Sequence, residues 1–66
     1  MTREPLFEGP CAYAVKAKSG YEVIIYSTNC VEHVSAGITP NLELAEIRCR
    51  RANAYPAQWR KFYRLL

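Results

Sequence analysis

The chain has no aspartate, one histidine (His33) and only three glycines in 66 residues. These shortages bear first on catalysis. A glycine-rich phosphate loop and a nucleophile elbow each need glycine at fixed spacing, and neither pattern occurs. Cys30 and His33 are the one thiol–imidazole candidate. A nucleophile and its base must lie within hydrogen-bond reach. On a strand, however, positions three apart point to opposite faces. A core this small also leaves little room to enclose a substrate. The expectation is a protein that is not an enzyme and has no cofactor.

Long apolar runs are missing too. Nothing approaches the ~20 residues that span a bilayer. Residues 1–15 lack the basic start and unbroken apolar stretch of a signal peptide. The expectation is a cytoplasmic chain with no membrane partner. Cys11, Cys30 and Cys49 are an odd number of cysteines, which a secreted disulfide scaffold rarely leaves. In a reducing compartment they read as three small buried hydrophobes. The competing reading is a zinc set of Cys11, Cys30, His33 and Cys49, since Cys30-x2-His33 has ligand-like spacing and a metal would staple a thin core. Against it, Cys11 and Cys49 stand alone, where structural zinc sites use closely spaced pairs.

The last shortage is of acid at one end. From Ile47 to Leu66 there are six basic residues and no glutamate, whereas residues 1–46 hold Arg3, Lys16 and Lys18 against all six glutamates. The C-terminal stretch therefore carries +6 and the remainder −3. Such a split points to an anionic partner, to pairing with the acidic part, or to both.

What is present describes one small domain. Sixty-six residues bury about 60% of their extended surface, a marginal core, but half the residues are apolar, too many for disorder. The two prolines and the glycine of residues 1–10 predict an extended arm, followed by a single α+β domain over 11–66. From Cys11 the pattern alternates with period two to Ala17, and YEVIIYST supplies a second strand. With Ser19-Gly20 as a two-residue turn, Tyr13 pairs with Tyr26, Val15 with Ile24 and Ala17 with Glu22. That face, with Tyr13, Val15, Ile24 and Tyr26, is the one expected under the helices. A third strand over Cys30–Ala36, broken at Gly37, would turn the hairpin into a meander over about 11–36; a short irregular segment is the other reading.

Thr39-Pro40 reads as N-cap and first helical position of a helix over about 40–54. Leu42, Ala45, Cys49 and Ala52 share its apolar arc, and Glu46–Arg50 form a solvent-side i,i+4 pair. Pro56 ends or kinks that helix near Ala54, giving one kinked helix or a second one over about 56–65, with Trp59, Phe62, Tyr63 and Leu66 on its inner side.

Two binding surfaces follow. Arg48, Arg51, Arg60, Lys61 and Arg64 suit a phosphate backbone, DNA or RNA, where basic side chains gain affinity through counterion release. The aromatics beside them are expected in the core rather than under stacked bases. The bland explanation is arginines solvated or paired with Glu22, Glu32 and Glu43. The alternative surface is Leu44, Ile47, Arg48, Arg51 and Trp59, whose composition matches protein interfaces. It would suit an inhibitor or adaptor occupying an acidic protein surface, or a homodimer. A three-stranded sheet backed by a C-terminal helix resembles the small sheet-based DNA readers of integrase arms and plant transcription factors. The resemblance implies docking by the open sheet face, but there this chain offers only Lys16 and Lys18. In size, basicity and lack of catalytic groups it also resembles the accessory proteins of phages and mobile elements.

Overall fold

The structure, a computed structural model, describes residues 4–65. Three strands, β1 (Ala12–Ala17), β2 (Gly20–Tyr26) and β3 (His33–Thr39), form an antiparallel meander, followed by helices α1 (Leu42–Ala54) and α2 (Pro56–Phe62). This is the α+β architecture expected. Within the arm, Leu6 bridges to Ala14 through two backbone hydrogen bonds of 2.7 and 2.8 Å.

The hairpin register differs by two residues. Tyr13 pairs with Ile24, Val15 with Glu22 and Ala17 with Gly20, so Lys18-Ser19 forms the turn. Gly20 has φ +149°, and a β-carbon there would overlap the Thr39 carbonyl oxygen. It is needed for the close approach of β3 rather than as a turn residue. A two-residue shift leaves each face's membership intact. The covered face is nonetheless the opposite of the expected one. Ala12, Ala14, Val23 and Ile25 are fully buried together with Ala45, Cys49 and Ala52 of α1. Small residues on both partners let the helix lie close on the sheet. The other face carries Tyr13 and Tyr26, whose hydroxyls need partners when buried. There Tyr13 shares a hydrogen bond with His33, and Tyr26 donates to the Gly9 carbonyl.

The third strand exists but starts later, at His33, and runs through Gly37 (φ +107°), with a register shift opposite Glu22/Ile24. It therefore claims Thr39, whose hydroxyl donates to the carbonyls of Tyr21 and Asn41. The N-cap of α1 moves to Asn41, whose side-chain oxygen accepts the Leu44 N–H at 2.9 Å. Leu42, assigned to the apolar arc, sits exposed in the first turn. At the other end, Asn53 ties α1 to β1. Its Oδ1 accepts the N–H groups of Cys11 (2.8 Å) and Ala12 (2.7 Å), and its Nδ2 donates to the Ala12 carbonyl.

Helix α2 stops at Phe62, short of the expected 65. The Arg64 N–H bonds the Lys61 carbonyl and the Leu65 N–H bonds that of Arg60, with Arg64 left-handed at φ +57°. This is a Schellman ending, and it turns Leu65 into the core. Leu66 lies outside the described residues.

Candidate nucleic-acid interface

Of the five basic residues assigned to phosphate, the fold uses one. The Arg60 Nε donates to the Tyr26 carbonyl at 3.0 Å and its Nη2 to the Pro10 carbonyl at 2.7 Å. Its guanidinium also lies 6.0 Å from the Tyr26 ring centroid. Arg60 thus clamps α2 to the end of β2 and to the arm. Nothing in the residue pattern separated it from Arg64, because only the docking angle of α2 decides which one meets the sheet.

The other four, Arg48, Arg51, Lys61 and Arg64, are exposed. Among the described residues none of them makes a side-chain hydrogen bond or ion pair, and the ion pair seen is Glu46–Arg50 at 2.7 Å, as expected. Arg48 and Arg51 are three apart on α1, and Lys61 and Arg64 three apart at the end of α2. Arg64 occupies a left-handed position where glycine is the usual residue and an arginine backbone is strained.

The aromatics divide. Trp59 and Tyr63 stack at 6.5 Å and are half-buried against the core. Phe62 meets the Tyr63 ring edge-on at 5.0 Å and is 71% exposed, contrary to its expected inner position. Gln58, Trp59, Phe62 and Tyr63 line a shallow cleft of about 290 Å³.

The alternative protein surface is partly assembled. Leu44 and Ile47 are 42% and 45% exposed beside exposed Arg48 and Arg51 on α1, whereas Trp59 belongs to α2 and its cleft. The zinc set does not come together. Cys11 and Cys49 are core residues, and among the described residues no three potential ligands form a metal-binding group. Burial pushes the Cys49 thiol up to about 11 and raises that of Cys11, the latter opposed by the Arg60 charge. Cys30 is exposed rather than buried, in the loop before β3. Its carbonyl lies 3.1 Å from the His33 Nε2, while Nδ1 faces the Tyr13 hydroxyl at 3.0 Å. The thiol is not His33's partner. Tyr13, Tyr26 and His33 form an aromatic cluster on the open sheet face, with Tyr26 and His33 stacked at 5.6 Å. The separation of Tyr13, Tyr26 and His33 along the chain hid that cluster until the register was known. No family model, curated protein or solved structure matches this chain.

Proposed function

We propose that the chain is a small non-enzymatic accessory module that binds nucleic acid through Arg48, Arg51, Lys61 and Arg64. The observation carrying this reading is that these four exposed cations have no side-chain partner among the described residues, in a stretch that contains no acid. The test is titration of labelled oligonucleotides over a range of salt. Four phosphate contacts on a single strand give a slope of log K against log salt of about −3, so raising salt from about 50 to 200 mM weakens binding about fiftyfold. Absence of binding at low salt sinks the reading.

The second reading, an adaptor or inhibitor occupying an acidic protein surface, is favoured by the exposure of Leu44 and Ile47 beside Arg48 and Arg51. Exposed aliphatic side chains gain nothing from a phosphate backbone. A paired substitution, Leu44→Ser with Ile47→Ser, separates the two. It leaves oligonucleotide affinity intact under the first reading and abolishes partner binding under the second.

A further inference from the structure

The geometry points to a single-stranded ligand, with an unstacked base held in the α2 cleft against Trp59, Phe62 and Tyr63. This inference rests on the nucleic-acid reading and specifies its substrate class. Phe62 is the starting point. The fold explains Trp59 and Tyr63, which pack against the core, but leaves Phe62 71% exposed, meeting the Tyr63 ring edge-on. A large ring standing in water beside two half-buried rings makes one wall of a cleft lined otherwise by Trp59, Tyr63 and Gln58. Its volume of about 290 Å³ sits at the small end of the about 300–1,000 Å³ typical of small-molecule pockets. That suits one flat heterocycle rather than a folded peptide element. Gln58 in the lining carries both a donor and an acceptor for a base edge.

The charge that adjoins the cleft residues in the chain selects the occupant. Lys61 and Arg64 flank the Phe62–Tyr63 pair in the chain, and both are exposed without an ion pair among the described residues. A ligand that carries both flat rings and anionic groups is complementary to exposed aromatic and basic residues that are neighbours in the chain, and a nucleotide strand carries both at every residue. Base-on-aromatic stacking tolerates any sequence, because every base has a π-face. A duplex keeps its bases stacked inside and can offer only phosphate to the same surface.

Trp59 is the only tryptophan, so its fluorescence reports on the cleft directly. Single-stranded oligothymidylate, oligouridylate, a mixed-sequence duplex and inorganic polyphosphate are titrated into the full chain at low salt. The two single strands are expected to quench Trp59, and the one acting at lower concentration identifies DNA or RNA as the source. Polyphosphate, which has charge but no bases, is expected to leave Trp59 unquenched. Phe62→Ala, at an exposed position, is expected to weaken single-strand binding about fivefold or more while leaving the salt slope and duplex affinity unchanged. Equal quenching by polyphosphate, or a Phe62→Ala variant with unaltered single-strand affinity, overturns the stacking inference while the phosphate reading stands. Loss of all salt-dependent binding removes both. Quenching of Trp59 by an acidic polypeptide at concentrations where oligothymidylate does nothing assigns the cleft to protein and overturns the inference.

Discussion

Replacing Arg60 by alanine tests whether this arginine belongs to the fold or to a phosphate site. Its side chain makes two hydrogen bonds from a charged donor to backbone carbonyls, one half-buried at Tyr26 and one exposed at Pro10. Hydrogen bonds to charged groups contribute about 1.5–3 kcal/mol, and solvent reduces the exposed one, so the expected loss is about 2–4 kcal/mol. A chain of this length has a total stability of about 3–10 kcal/mol. At about 4–8 °C per kcal/mol, Tm should fall by about 8–32 °C. Arg60→Lys should recover little, because an ammonium is a point donor and cannot span two carbonyls as the guanidinium fork does. The assay is thermal unfolding followed by circular dichroism, with oligonucleotide titration below the variant's Tm. A variant with unchanged Tm and abolished oligonucleotide binding refutes the assignment and returns Arg60 to the phosphate set.

Other expectations follow from single residues. Asn53→Ala leaves the N–H groups of Cys11 and Ala12, both fully buried residues, without their acceptor, for a loss of about 2–5 kcal/mol in urea unfolding. Asn53→Asp keeps the acceptor and recovers part of that loss. Arg64→Gly relieves the left-handed backbone and should raise stability by about 0.5–1 kcal/mol while reducing the single-strand salt slope by about 0.7. In the native protein Cys30 should react with a thiol reagent at neutral pH, with Cys11 and Cys49 reacting only on unfolding. The Cys49 thiol ionises at about 11 when folded and near 9.0 when unfolded. Its contribution to stability is therefore complete below pH 9 and is lost between pH 9 and 11. The phenols of Tyr13 and Tyr26, also raised by burial, act in the same direction above pH 10. Urea midpoints that stay flat across pH 9–11 contradict this.

Periodicity was enough to place both strands of the hairpin, the buried trio Ala45, Cys49 and Ala52, and the break at Pro56. It misjudged which face the helix covers, because apolar content favoured Tyr13, Val15, Ile24 and Tyr26. Packing instead rewards the small Ala12 and Ala14, which admit the helix, and leaves the tyrosine hydroxyls near partners. The Thr39-Pro40 signal was chemically sound, but β3 lies three residues further along the chain and recruited Thr39, and Asn41 took over the cap. Of the charged surface, Arg48, Arg51, Lys61 and Arg64, without a side-chain partner among the described residues, could be anticipated from a C-terminal stretch that holds no acid. The role of Arg60 could not, since it depends on carbonyls at Pro10 and Tyr26, far away in the chain. Exposed Phe62 was hidden for a related reason. Its helix ends at Phe62 itself, and Leu65 takes the buried position that a continuing helix would have given to Leu66.

The central claim is that nucleic acid meets the two helices and not the sheet, and amide chemical shifts on titration with oligothymidylate test it most directly. The shifts should concentrate at Ile47–Arg51 and Gln58–Arg64, with Tyr13, Ile24 and His33 on the open sheet face unmoved. Shifts confined to that sheet face and the Lys16–Lys18 turn, or none at low salt, contradict it.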